Sequence, residues 1–237
     1  MGTEQRGKRV HNRNGRNLRR LISVALSGLV LTNAAPSMAQ SLFGPGIFGP
    51  GKFSVSQSDD RFSDRPTTSI SGRNNRVSKK SPGGGLDIGA EGIYLDPLVI
   101  KSRTNGEVLS VGFALTNLAS DDTLYGSYNA LGTLERVSFL LDNGKLISVP
   151  VENASTDVGD KISYNSVTHS ASSSFTESGT ISIALEDMAA LASATSVAIK
   201  IEGSKRSTTY EAKDISKQFL ANIAMFYEQY IKPTVRK

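Results

Sequence analysis

The dipeptide Asn143-Gly144 lies between two short apolar runs in the segment 137–151. This arrangement is the strongest short-range signal for a β-hairpin, because Asn and Gly tolerate the positive φ angles of a type I′ turn. A two-residue turn places Asp142 opposite Lys145 and Leu141 opposite Leu146. Leu140 and Ile147 face the other way from these leucines and are also apolar. We therefore expect a hairpin that is covered on both sides, as in a sandwich or under a helix.

Several other segments have the alternation, or the broken apolar runs, that are typical of strands. They are 53–77, 86–100, 108–118, 162–175, 181–183 and 197–210. A second tight hairpin is predicted at Gly203-Ser204, with Glu202 facing Lys205. The pattern predicts a mostly β fold, an antiparallel β-sandwich or sheet of about seven to nine strands. An α+β fold with a single sheet is the alternative.

Helical periodicity occurs in two segments. The Ala-rich segment 185–194 predicts a short helix, and 216–231 predicts an amphipathic C-terminal helix with Ser216 as its N-cap. The apolar stripe of the second helix consists of Phe219, Leu220, Ile223, Phe226, Tyr227 and Tyr230. Its polar side carries too few cations for a membrane surface, so we expect it to pack on a sheet.

Residues 1–39 have the features of a secretory signal peptide. Seven basic residues precede the apolar run 21–31, and the small residues Ser37 and Ala39 occupy the −3 and −1 positions of a cleavage site. The run has eleven residues, whereas crossing a bilayer takes about 20. Cleavage after Ala39, which leaves no transmembrane span, is therefore expected. The pair Arg19-Arg20 also keeps twin-arginine export open. The sequence predicts a periplasmic or extracellular protein.

The mature chain is expected to begin with a tether and to continue as one domain. Residues 40–52 contain Phe-Gly-Pro-Gly twice, and Gly-Pro pairs fit neither helices nor strand ladders. Residues 53–232 are predicted to form a single β-rich domain that ends in the helix 216–231, and 233–237 form a tail.

Composition excludes several functional classes. The whole chain has 27 basic and 22 acidic residues, but without the seven basic residues and the one acid of the leader 20 and 21 remain. The basic character thus belongs to the leader and does not indicate nucleic-acid binding. Cysteine is absent, which excludes thiol catalysis, thiolate metal sites and disulfides.

No catalytic residue, metal centre or cofactor is predicted. His169 is the one histidine after the leader, and no G-x-S-x-G or S-x-x-K motif accompanies it. We interpret it as a solvated strand residue. Acid pairs such as Asp59-Asp60 and Asp121-Asp122 leave one enzymatic alternative. It is a secreted hydrolase that acts on a cell-wall glycan or ester through an Asp/Glu pair facing across a groove.

Three features are candidates for binding. The first is a basic cluster, interpreted either as a mobile loop or as a contact for anionic polymers, and it consists of Arg73, Arg76, Lys79 and Lys80. The second is the hairpin tip Lys205-Arg206, and the third is the pair Phe43 and Phe48 in the tether. The leading hypothesis is an exported, non-enzymatic binding or envelope-associated protein. Its partner would be an envelope component, an anionic polymer or another protein.

Overall fold

The computed structural model describes residues 51–62, 64–83, 90–122, 129–159 and 163–232. These residues form eleven strands in two antiparallel sheets, together with two helices. The strands are β1 (Ser54–Asp60), β2 (Thr67–Arg73), β3 (Gly92–Ser102), β4 (Val108–Asp122), β5 (Leu134–Leu141), β6 (Leu146–Pro150), β7 (Glu152–Val158), β8 (Ser163–Asn165), β9 (Ser170–Ile183), β10 (Val197–Gly203) and β11 (Ser207–Tyr210). The leader and the residues Phe43 and Phe48 lie outside the described part of the chain.

The larger sheet is organised around β4. Its seven strands follow the order β1-β2-β3-β4-β9-β7, and β8 pairs with β9. Side chains alternate between the two faces of a strand, so Val111, Phe113 and Leu115 of β4 point to one face, where all three are buried. This face carries the core.

The smaller sheet has four strands in the order β11-β10-β5-β6. Phe139 of β5 contacts Phe113 of β4 with ring centroids 5.9 Å apart, and both belong to one continuous hydrophobic core. The chain passes from the smaller to the larger sheet between Pro150 and Glu152. The prediction of a mostly β, antiparallel fold with a C-terminal helix is confirmed, although the described strands outnumber the expected seven to nine.

The two helices occur where the periodicity predicts them. They are α1 (Leu185–Ser193) and α2 (Lys217–Phe226), and α2 continues as a π-helical turn, Tyr227–Ile231. The buried face of α2 carries Phe219, Ile223 and Phe226, whose burial contributes roughly 5 to 9 kcal/mol before entropy is counted. The side chain of Ser216 makes no capping hydrogen bond. Within the described ranges, no helix is long and apolar enough to cross a membrane.

The hairpin at Asn143-Gly144 is present, but the two-residue turn predicted for it is wrong. Leu140 faces Leu146, and the amide of Leu141 donates to the carbonyl of Lys145 at 2.9 Å, so the turn has three residues. Gly144 adopts a positive φ of 80°, while Asn143 does not adopt a positive φ. A type I′ turn needs two such residues, whereas a three-residue turn with a bulge needs one.

This one-residue shift decides which side chains of the hairpin are covered. Leu141 and Ile147 are each 3% exposed, while Leu140 and Leu146 are 49% and 64% exposed. The expectation that both faces are covered is therefore wrong. A register change of one residue exchanges the two faces of a strand, and the observed register places one apolar pair toward solvent.

Asp142 and Lys145 do not form the predicted pair. The carboxylate of Asp142 accepts hydrogen bonds from the amide and the hydroxyl of Thr195, and these bonds lower the pKa of Asp142. Lys145 instead lies 2.6 Å from a carboxylate oxygen of Asp187 in α1. The turn is thus joined to the two ends of α1.

Two further sequence-based predictions need correction. In the predicted strand 162–175, the described residues 163–175 form a hairpin of β8 and β9 with a turn at 166–169, where His169 has a φ of 53°. His169 is therefore an exposed turn residue rather than a strand residue. The second tight turn contains Ser204 and Lys205, because the amide of Gly203 donates to the carbonyl of Arg206 at 2.9 Å. The predicted turn at Gly203-Ser204 is one residue too early.

Candidate functional site

A polar cavity of about 390 Å³ lies beside the turn between β10 and β11. Its walls are formed by residues 202–207 and by Glu135 and Arg136 of β5. Three of the side chains are cationic, those of Arg136, Lys205 and Arg206, and two are acidic, those of Glu135 and Glu202. The sequence-based candidates Lys205 and Arg206 therefore lie together in a concave site, and Arg136 is an addition that the sequence pattern did not identify.

A β-bulge brings Glu135 and Arg136 to the same side. Between β10 and β5 the register changes from Glu202 opposite Arg136 to Gly203 opposite Leu134. Strict alternation would bury one of two consecutive strand residues, but a bulge places an extra residue in one strand. Both Glu135 and Arg136 are consequently exposed beside the cavity.

The turn is held by the loop that precedes β5. The carbonyl of Leu131 accepts hydrogen bonds from the amides of Lys205 at 2.9 Å and Arg206 at 3.2 Å. Thr133 and Ser204 exchange two more: the amide of Ser204 donates to the carbonyl of Thr133 at 2.9 Å, and the amide of Thr133 donates to Ser204 Oγ at 3.0 Å. The backbone that carries the two cations is therefore fixed on one side by residues 131–133.

Two glycines allow this close approach. Gly132 has a φ of +89°, and a Cβ there would lie 2.5 Å from Ser204 Oγ. A Cβ on Gly203 would lie 2.5 Å from the carbonyl oxygen of Leu131. Larger residues at either position would push the loop and the turn apart, since contacts this short exceed van der Waals limits.

Beneath the loop lies a buried acid, Glu177 of β9, which is 1% exposed. Its carboxylate accepts hydrogen bonds from the amides of Gly132 at 2.6 Å and Leu131 at 3.0 Å and from Asn117 Nδ2 at 2.9 Å. A buried carboxylate needs such donors. The sequence contained a signal for this residue, because Glu177 alternates in phase with the buried residues Phe175 and Ile181.

Glu202, one of the two acids of the cavity wall, takes part in two ion pairs. Glu202 Oε1 lies 2.5 Å from Lys200 Nζ, and Glu202 Oε2 lies 3.9 Å from Arg136 Nε. The three cations outnumber the two acids in the wall, and one acid is already shared by two cations. The wall therefore has an excess of positive charge, which attracts an anionic group.

The backbone of the other basic cluster is hydrogen-bonded to β3. After Arg73 the chain forms a bulge at Asn74, whose φ is 64°, and then runs beside β3. The amide of Val77 donates to the carbonyl of Ile93 at 2.8 Å, and the amide of Leu95 donates to the carbonyl of Asn75 at 3.1 Å. The segment is thus an irregular continuation of β2 that pairs with β3 at isolated positions.

The cations of this segment differ in exposure and in pairing. Arg73 and Lys79 are exposed, Arg76 is half-buried opposite Tyr94, and Lys80 Nζ pairs with Asp214 Oδ2 at 3.3 Å. None of the four lines the cavity.

His169 and the acidic residues are the side chains considered for catalysis or metal binding. His169 Nδ1 lies 3.2 Å from the hydroxyl of Tyr164. In the described parts of the chain, no group of three His, Asp or Glu residues is arranged to hold a metal ion. Glu135 and Glu202, in contrast, line the same cavity.

Comparison with protein-family models, with curated proteins and with solved structures gives no match for this chain.

Proposed function

We propose that this chain is an exported, non-enzymatic binding module that takes an anionic group of an envelope component in the cavity beside the β10–β11 turn. The observation that carries the proposal is the convergence of Arg136, Lys205 and Arg206 on one concave wall. Ser204 and Ser207 line the same cavity and supply hydroxyl groups that can hydrogen-bond to a ligand. Carboxylates and phosphates both fit this chemistry, because Arg binds either in a bidentate geometry.

Charge reversal tests the proposal. The double variant Lys205→Glu with Arg206→Glu should weaken binding of the mature chain to polygalacturonate and to polyphosphate by about tenfold or more at low ionic strength, because electrostatic attraction is then least screened. The two polymers separate carboxylate from phosphate recognition. Lys213→Glu with Lys217→Glu is the matched control, since both lysines are exposed and lie outside the cavity.

The variant Arg73→Glu with Lys79→Glu tests two residues of the other basic cluster. These two residues are exposed but lie outside the cavity, so we expect a smaller loss that added salt removes. Equal affinities of the cavity variant, the control and the wild-type chain for both polymers would contradict the proposal.

A hydrolase with a carboxylate pair is the second candidate, because Glu135 and Glu202 line one cavity. Against it, the two carboxylate oxygens of Glu202 are already paired with Lys200 and Arg136, which leaves them less free to contact a substrate. A turnover screen with peptidoglycan and simple esters decides between the two functions. Activity that is lost in both Glu135→Gln and Glu202→Gln would favour the hydrolase.

Export is part of the proposal and can be tested separately. We expect a bacterial host to remove residues 1–39, so that the mature protein begins at Gln40 and is recovered outside the cytoplasm. Mass spectrometry of the fractionated protein gives the result directly. An intact Met1 on protein from the cytosolic fraction would contradict export while leaving the cavity proposal open to its own test.

A further inference from the structure

We propose that Glu177 is a positioning residue for the cationic cavity: its buried carboxylate fixes the orientation of one peptide group, and that peptide group holds the turn that carries Lys205 and Arg206. The inference rests on the proposed function for the role of the cavity, but the mechanical link between Glu177 and the turn can be tested without a ligand.

The first step is the hold that Glu177 has on the loop. The side chain is almost fully buried, and its carboxylate accepts hydrogen bonds from three N–H donors, those of Gly132, Leu131 and Asn117. A carboxylate only accepts hydrogen bonds, so each of these three donors meets an acceptor. Turning either backbone amide away would leave a buried negative charge with fewer donors, which is costly.

The second step passes through a single peptide group. The N–H of Gly132 and the C=O of Leu131 belong to the same planar unit, in which the two bonds point in opposite directions. The N–H donates to Glu177 Oε1 at 2.6 Å, while the C=O accepts from the amides of Lys205 and Arg206. An acceptor that fixes one side of the plane therefore fixes the direction of the carbonyl on the other side.

The third step is the approach of the turn to the loop. Gly132 at φ +89° leaves room for Ser204 Oγ, which accepts from the amide of Thr133 at 3.0 Å. The backbone of 204–206 is thus held at three consecutive residues by 131–133. The side chains of Lys205 and Arg206 start from that backbone, so their place in the cavity wall depends on a carboxylate that does not line it.

The variant Glu177→Gln provides the principal test. Gln keeps the size of Glu and one acceptor oxygen, but its NH₂ group opposes at least one of the three donors. We expect the amides of Lys205 and Arg206 to exchange with deuterium at least about tenfold faster, while the amide of Ile181, in the ladder with β4, keeps its wild-type rate. Affinity for polyphosphate should fall toward that of the Lys205→Glu, Arg206→Glu variant.

Two further variants keep the test decisive. Glu177→Asp retains the charge on a shorter side chain and should have an intermediate effect; it replaces Glu177→Gln if the latter does not fold. Glu152→Gln removes an exposed acid from β7 and should change neither exchange nor affinity.

The outcomes separate the two proposals. Unchanged exchange at Lys205 and Arg206, or an equal acceleration at Ile181, would overturn the positioning role, because the first shows no link and the second shows only global destabilisation. If the wild-type chain binds neither polygalacturonate nor polyphosphate, the proposed function fails, and selective exchange at 205 and 206 would still establish the positioning role.

Discussion

The carboxylate oxygen Oδ1 of Asp96 accepts a hydrogen bond from the backbone amide of Asn75 at 2.7 Å. The side chain of Asn75 in turn donates to the carbonyl of Leu95 at 3.0 Å and accepts from Asn222 Nδ2 of α2 at 3.0 Å. Asp96 therefore supports the residue that joins β3, the continuation of β2 and the C-terminal helix. Its charge has a cost, because burial raises the pKa of Asp96 from 3.8 to about 6.

The stability of the chain should depend on pH through Asp96. Its pKa is higher in the folded than in the unfolded state, so the folded chain binds the proton more tightly and stability falls as pH rises from about 4 to about 6. We expect the free energy of unfolding of Asp96→Asn, relative to that of the wild type, to rise by up to about 3 kcal/mol between pH 4 and pH 8. Urea unfolding of both proteins across this range measures the difference, and a difference independent of pH would contradict the pKa shift.

Gly132 should tolerate substitution much less than a glycine with similar backbone geometry in open space. Gly106 has a φ of +72° with no atom within 4 Å of an added Cβ, so Gly106→Ala should cost only about 1 kcal/mol of backbone strain. At Gly132 the same strain is joined by contacts of 2.5 Å with Ser204 Oγ and 3.0 Å with the amide nitrogen of Lys205. We expect Gly132→Ala to lose about 2 kcal/mol or more beyond Gly106→Ala in the free energy of unfolding.

Equal losses for these two glycine variants in chemical denaturation would mean that the loop and the turn are not packed against each other.

The register of the β5–β6 hairpin makes opposite predictions for two adjacent leucines. Leu141 is 3% exposed, so Leu141→Ala should lower the free energy of unfolding by about 2 to 5 kcal/mol. Leu140 is 49% exposed, and Leu140→Ala should cost less than about 1 kcal/mol. Thermal and urea unfolding give both values, and similar losses at the two positions would contradict the finding that one face of the hairpin is exposed.

The broad architecture could be predicted from the sequence because alternation and turn residues act locally. Strands β4 and β10 and both helices occur where the apolar periodicity predicts them. The turn registers could not be predicted, because tertiary contacts decide them. Thr195 binds Asp142 beside one turn, and Leu131 binds the amides of Lys205 and Arg206 in the other.

The candidate site could be predicted only in part. Lys205 and Arg206 stand out as a charged hairpin tip, whereas Arg136 joins them through strand pairing with residues more than sixty positions away. Glu177 was missed because the segment 162–175 was interpreted as one strand and 181–183 as another. The structure instead has a single strand, β9, with Glu177 on its buried face.

The location of the bound anion is the most direct test of the central claim. Amide chemical shifts of the mature chain can be followed by NMR while polyphosphate or polygalacturonate is added at low ionic strength. We predict that the largest saturable changes occur at residues 203–207 and at Glu135 and Arg136, and that they disappear in the Lys205→Glu, Arg206→Glu variant. Saturable changes centred on another surface, with these residues unaffected, would contradict the assignment of the cavity as the binding site.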